Sequence, residues 1–227
     1  MKRLLSKSSV NIYLQCPLKW KYFYIDEIPS ISSPQQERGS NIHKKIENFY
    51  KDIQSTKSLD LESYLELKNF INFELSRIKN IIKERKSVSK YFYPLFQELK
   101  IENEKLGLKG IIDAVYIHPK DDKLIIIDWK TGQYNKNDLN NYRLELAIYK
   151  ELLEKSDKIE NAEIGYWGVY FTDADKLFFE KIDEKYISEM YDIVDIVKRN
   201  IDMSNFRPKK NWYCKSCQFW EKCKNDI

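Results

Sequence analysis

Two short apolar runs joined by a polar turn constrain the fold of this chain more than any other feature. Leu108-Lys109-Gly110-Ile111-Ile112-Asp113-Ala114-Val115-Tyr116-Ile117 and Leu124-Ile125-Ile126-Ile127-Asp128-Trp129-Lys130 are β-branched and strand-like, and His118-Pro119-Lys120-Asp121-Asp122-Lys123 between them has turn composition. The pattern predicts a hairpin. Because side chains alternate faces along a strand, Asp128 and Lys130 project to one side and Trp129 to the other. Pairing of the two runs lets Asp113 join Asp128 and Lys130, so that two carboxylates and an ammonium meet on one sheet.

That combination has a chemistry. Mg²⁺ prefers hard oxygen ligands and takes one or two protein carboxylates, leaving waters and phosphate oxygens to complete its octahedron. The cation lowers the pKa of a water and neutralises phosphate charge, while a neighbouring lysine can orient or deprotonate the nucleophile or stabilise developing negative charge. Asp-x-Lys on its own is also a frequent accidental match, since charged residues are ordinary at strand ends.

Elsewhere the chain alternates helical and strand patterns. Ser40 is positioned to cap a helix carrying His43, Ile46, Glu47 and Tyr50 on one face, and a second helix is expected from about Leu61 to Arg85 with Leu65, Phe70, Ile71, Leu75, Ile78, Ile81 and Ile82 as its apolar stripe. Leu95–Ile101 reads as a strand feeding the hairpin. After Gly132 a helix aligns Tyr142, Glu145, Leu146 and Tyr149, followed by strands at 162–171 and 176–182 and a helix opening at Asp183. These patterns predict one α/β domain over residues 1–227, with a helical segment at about 40–90.

Composition sets the boundaries. Hydrophobic content of 42% with 33% charged residues fits a soluble protein, and the sequence has no run of about 18 apolar residues of the kind a membrane span needs. The basic start Met1-Lys2-Arg3 meets polar residues before any apolar signal core develops, so a cytoplasmic location is expected. Net charge is only +4, with 39 cations against 35 carboxylates, which does not by itself announce nucleic acid. Rings and cations do interleave at Trp20-Lys21-Tyr22-Phe23-Tyr24 and Lys90-Tyr91-Phe92-Tyr93, a mixture that can stack bases, although core packing is the commoner use of such rings.

Four cysteines form a one-plus-three set. Cys214-x-x-Cys217 and Cys223 lie near the C-terminus, and Cys16 stands before Pro17 near the N-terminus. Reduced thiols in an intracellular chain disfavour disulfides and suit Zn²⁺ or an iron-sulfur cluster. Zinc ribbons usually present two close pairs, so the split favours the cluster, and either metal would fasten the two ends of the chain together.

With these pieces placed, the chain resembles the PD-(D/E)xK nuclease superfamily, within it the RecB-like and AddB-like group of iron-sulfur nucleases that includes CRISPR-adaptation exonucleases. Ser8–Pro17 resembles the group's N-terminal cluster half and Cys214, Cys217 and Cys223 its C-terminal half. Arg38-Gly39-Ser40-Asn41-Ile42-His43 resembles the metal-binding histidine helix, Leu108–Asp113 the second motif and Asp128-Trp129-Lys130-Thr131-Gly132 the third. The resemblance implies a restriction-endonuclease-like mixed β-sheet flanked by helices, with the termini joined by a cysteine-ligated cluster, 4Fe-4S or alternatively Zn²⁺. It implies His43, Asp113 and Asp128 as ligands of Mg²⁺ or Mn²⁺, Lys130 as the catalytic lysine, and Glu98 and Tyr149 beside them. It further implies an exonuclease on single-stranded DNA or DNA with free ends, in DNA repair or recombination or in CRISPR adaptation, with a helicase or CRISPR-adaptation protein as partner. His118, in the turn, is expected to be inert. Glu145 stands where the group often carries Gln, and a carboxylate cannot donate an amide's hydrogen bonds. The alternative function is a noncatalytic iron-sulfur or zinc DNA-binding module or a subunit of a helicase-nuclease complex. No Gly-x-x-x-x-Gly-Lys loop supports a helicase, and a paired-carboxylate glycosidase would leave Lys130 and the cysteines unexplained.

Overall fold

A computed structural model describes residues 3–55, 61–160 and 162–226. In chain order the elements are α1 (Lys7–Gln15), α2 (Pro17–Tyr24), α3 (Pro34–Gln54), a 3₁₀ turn (Leu61–Leu67), α4 (Lys68–Glu84), α5 (Ser89–Phe92), β1 (Phe96–Asn103), β2 (Leu108–Ile117), β3 (Leu124–Lys130), α6 (Leu139–Glu154), β4 (Ile164–Phe171), β5 (Lys176–Lys181), α7 (Glu184–Asp202) and α8 (Trp220–Asp226). The strands form one mixed sheet in the order β1-β2-β3-β4-β5. β1, β2 and β3 pair antiparallel, β3 and β4 parallel across the α6 connection, and β4 and β5 antiparallel. The predicted hairpin is therefore present, with Ala114 opposite Ile127 and Ile117 opposite Leu124.

Helices cover both faces. On one face α6 lies against the sheet with α1 and α7 around it, and Ile112, Val115, Ile126, Leu146, Leu152, Trp167, Met190 and Val194 fill the shared core. Residues 144–153 of α6 are all buried, as expected of a helix packed between a sheet and further helices. On the other face Ile46, Tyr50, Phe70 and Ile81 of α3 and α4 pack on Ala114, Ile127 and Trp129. Leu5 extends the sheet by bridging to Leu108, accepting from Lys109 N–H at 2.9 Å.

Two helix expectations are corrected. α3 starts at Pro34, not at Ser40: Ser33 and Gln36 form a reciprocal capping box with Pro34 in the first turn, a stronger N-terminus that leaves Ser40 in the helix interior. The segment from Leu61 begins as a 3₁₀ turn, and Leu65, Leu75 and Ile82 of the expected stripe are exposed. The buried face instead carries Phe70, Glu74 and Ile81, because Glu74 pairs with Arg77 at 2.7 Å while Arg77 donates to the carbonyls of Tyr91 and Phe92. The rings at Trp20, Tyr22, Tyr91 and Phe92 are buried and pack in the core.

Candidate active site

Three elements converge on the backbone of Trp129. Its indole is buried under α3 and α4, beside Tyr50 and Phe70, which fixes β3 from the far side. Asp113 Oδ2 accepts from the Trp129 N–H at 2.7 Å, and His43 Nε2, from α3 itself, lies 2.7 Å from the Trp129 carbonyl. Donation from Nε2 leaves Nδ1 to face the carboxylates, the arrangement by which a second hydrogen bond orients a metal-ligating imidazole. α3 is itself tied to the loop after β3, since Arg38 bonds both oxygens of Asp173 at 2.8 Å and Asp173 also accepts from Gly132 N–H.

His43 Nδ1 lies 3.4 Å from Glu98 Oε1 and 3.5 Å from Asp113 Oδ1. One ligand atom from each of these residues falls within 4.8 Å of the others, and among the described residues this is the group that could hold a metal ion. The backbone is shaped for it. The β1–β2 ladder pairs Gln97 with Ala114 and Leu99 with Ile112, which sets Glu98 opposite Asp113. Glu98 has φ 45°, a conformation that a non-glycine residue holds at a cost of about 1–3 kcal/mol. Side chains reaching the α6 core accordingly change parity there: Leu99 and Ile101 follow Glu98 but Phe96 precedes it, and Ile112 precedes Asp113 but Val115 follows it. The switch turns both carboxylates toward His43.

Like charges set opposite each other on neighbouring strands are destabilising, and the buried Glu98 Oε1 has only the long 3.4 Å contact from His43 Nδ1 among the described residues. A cation among the three side chains answers both costs, and two oxygens with one imidazole nitrogen make a donor set suited to Mg²⁺ or Mn²⁺. The carboxylates already act on the imidazole. Burial opposes a charge on His43, but hydrogen bonds to Asp113 and Glu98 and the field of Asp128 outweigh it and push its pKa up to about 10.

Asp128 and Lys130 share a face, as strand alternation requires, and belong to an adjoining chain of alternating charges. Lys130 Nζ lies 2.8 Å from Asp128 Oδ1 and 2.7 Å from Oδ2, the latter too poorly aligned to count as a hydrogen bond. The same ammonium is 3.1 Å from Glu145 Oε2, and that oxygen accepts from Lys7 Nζ at 2.8 Å. Tyr149 O–H donates to Glu145 Oε1 at 3.2 Å. Burial pushes the Asp128 carboxyl up against the opposing pull of Lys130. Burial works against charge on Lys130, yet Asp128 and Glu145 hold its pKa above the usual lysine value. Burial likewise disfavours the Glu145 carboxylate, but Lys130 and Lys7 keep its pKa lowered. Lys130 is therefore held as an ammonium between two carboxylates.

The structure thus brings His43, Glu98 and Asp113 to one point and sets Asp128, Lys130 and Tyr149 in the adjoining network, with Glu98 rather than Asp128 completing the compact ligand group. His118 is elsewhere, its Nδ1 2.7 Å from Asp121 and its ring on Tyr166. Lys7 was not foreseen. It lies 138 residues from Glu145 in sequence and only the packing of α1 on α6 brings it in, so the local pattern around it carries no trace of the role.

A sequence model of the PD-(D/E)XK nuclease superfamily matches residues 4–224. The chain belongs to this superfamily. Its mixed five-stranded sheet with helices on both faces is consistent with the superfamily fold, and the site lies on the strands bearing the second and third motifs. A solved structure of a candidate exonuclease from Eubacterium rectale shares that fold, with a TM-score of 0.55 at 14% identity over 97% of this chain and 88% of the other. The solved structure of SSO0001 has a TM-score of 0.47 at 18% identity, covering 100% of this chain and 89% of that one. No curated protein matches the chain. Among the described residues no helix is long and apolar enough to cross a membrane.

Proposed function

We propose that this PD-(D/E)XK protein is a Mg²⁺- or Mn²⁺-dependent DNA exonuclease acting on single strands or free ends, and that residues 1–227 form one RecB-like nuclease domain. The observation that carries the reading is the His43, Glu98 and Asp113 group, with ligand atoms within 4.8 Å of one another. His43, Asp113 and Glu98 hold the cation, and Asp128 either joins them or fixes Lys130. A divalent cation at this point supplies an acidified water and offsets the charge of the scissile phosphate. Lys130, kept charged between Asp128 and Glu145, orients the nucleophile and stabilises the negative charge that builds at phosphorus. Tyr149 holds Glu145 in place. Beside the site, Lys7, Lys100 and Lys109 line an open groove together with Glu102 and Glu145, and Lys100 and Lys109 are the cations there that could meet a phosphate backbone.

We also propose that Cys16, Cys214, Cys217 and Cys223 ligate a 4Fe-4S cluster. All four line one cavity of about 140 Å³ between α2 and the C-terminal segment. Four soft thiolates suit a cluster or zinc, and the one-plus-three split along the chain favours the cluster. Asn211 N–H points at Cys214 Sγ at 3.3 Å, a contact that would tune a cluster thiolate. Work with a helicase or a CRISPR-adaptation protein, in a reducing cytoplasm, fits this assignment.

The test is digestion of end-labelled single- and double-stranded DNA in Mg²⁺, Mn²⁺ or EDTA by the wild type, Asp113→Ala and Lys130→Ala. Cation-dependent loss of label from single strands by the wild type alone is expected. Equal cleavage by all three proteins refutes the site. The purified protein should be brown, and a colourless protein carrying stoichiometric zinc refutes the cluster.

A further inference from the structure

The charge of this chain is unevenly placed. From Met203 to Trp220 the sequence holds Arg207, Lys209, Lys210 and Lys215 and no carboxylate, so that the rest of the chain balances at 35 cations against 35 carboxylates. Arg207, Lys210 and Lys215 are exposed, and none makes an ion pair within 4 Å among the described residues. In the middle of this stretch stands Trp212, 79% exposed, whereas Trp20, Trp129 and Trp167 are fully buried. Tyr213 stacks on it, with ring centroids 3.4 Å apart and planes at 29°, and itself lines the cysteine cavity. A large ring in water, pre-stacked on a second ring and flanked in sequence by exposed cations without ion pairs, is the combination that single-strand binders use.

Its place in the fold is consistent. Lys209 Nζ donates to Leu14 O at 3.1 Å and Asn211 Nδ2 to Gln15 O at 3.3 Å, which ties the stretch to the C-terminal end of α1. The N-terminal end of the same helix carries Lys7, bonded to Glu145 beside Lys130. Nine residues of helix at 1.5 Å each span about 13 Å, the length of roughly four stacked nucleotides.

We propose that Trp212 and Tyr213 form a stacking platform for the bases of single-stranded DNA, with Arg207, Lys210 and Lys215 holding the flanking phosphates; the substrate class rests on the nuclease reading above. The C-terminal cysteine segment thereby grips the strand about one α1 length from the phosphodiester to be cut.

The test is fluorescence anisotropy of labelled oligothymidine with the full-length protein in EDTA, so that binding is read without cleavage. Trp212→Ala should weaken binding about tenfold, at the lower end of a 1–3 kcal/mol stacking contact, and Trp212→Phe should restore most of it. Lys210→Gln and Lys215→Gln should each reduce the slope of log K against log salt by about 0.7. Wild-type affinity in Trp212→Ala overturns the platform, as does an equal loss on a blunt duplex of the same length, which would point to a general fold defect or a backbone contact. The two readings fail separately. DNA cleavage by a protein whose affinity ignores Trp212 removes the platform alone, whereas Trp212-dependent binding by a wild type that cuts nothing removes the nuclease and leaves the platform.

Discussion

Replacing Lys7 with Met tests the charge network that sequence reading missed. Lys7 and Glu145 are 2.8 Å apart with side chains 16% and 9% exposed, so the pair is well shielded from solvent. Removing one member of a fully buried pair costs about 3–5 kcal/mol, because the other charge is stranded. Here Glu145 keeps Lys130 at 3.1 Å and the Tyr149 hydroxyl at 3.2 Å, which lowers the expected cost to about 2 kcal/mol, the size of one hydrogen bond to a charged group. For a chain of this length that is a fall in Tm of roughly 4–8 °C. Glu145→Gln should suppress it, since a neutral amide needs no second cation, and the Lys7→Met/Glu145→Gln protein should recover at least about 1 kcal/mol of coupling in a double-mutant cycle read by urea unfolding. Activity should follow the same order. An uncompensated Glu145 repels the phosphodiester and pulls Lys130 from Asp128, so kcat/KM falls about tenfold in Lys7→Met and returns in the double variant. Effects that add to within about 0.5 kcal/mol would refute the idea that Lys7 is there to neutralise Glu145.

Three further outcomes follow from the same geometry. Asp113→Asn and Glu98→Gln should each lower Mg²⁺-dependent cleavage of end-labelled single strands by at least about 100-fold, and wild-type cleavage by either variant would remove that residue from the cation site. Gly110→Ala places a Cβ 2.9 Å from the Tyr149 ring and 3.2 Å from Leu152, an overpacking that should cost about 1–3 kcal/mol and shift Tyr149 off Glu145, whereas an unchanged urea midpoint would show that α6 yields without strain. Burial raises the Glu151 carboxyl, but its bonds to Tyr191, Lys155 and Lys150 leave its pKa below the usual 4.5. A lowered folded pKa gives stability that is present above the unfolded value and lost as pH falls below about 4.5, so Glu151→Gln should flatten the decline of the urea midpoint under acid, and an unchanged decline would exclude this group as its source.

The difference between what was legible in the sequence and what was not has a physical origin. Period-two alternation places Asp128 and Lys130 together and Trp129 opposite, and that holds because β3 pairs with β4 in unbroken register from Ile125 to Lys130 and is largely buried. The same rule fails across Glu98 and Asp113, where a left-handed residue changes the parity of two paired strands at once, and this departure is what turns Glu98 toward His43. Alternation describes an unstrained backbone, so it misleads at the point where backbone strain is used to crowd carboxylates around a cation. Glu145 illustrates the other gap. In sequence it is a carboxylate where an amide is expected, apparently surplus negative charge in an acidic site; in the folded chain Lys7 neutralises it and Lys130 is shared between it and Asp128. The substitution and its compensation lie on different helices, α6 and α1, so neither can be interpreted until the packing that joins them is known.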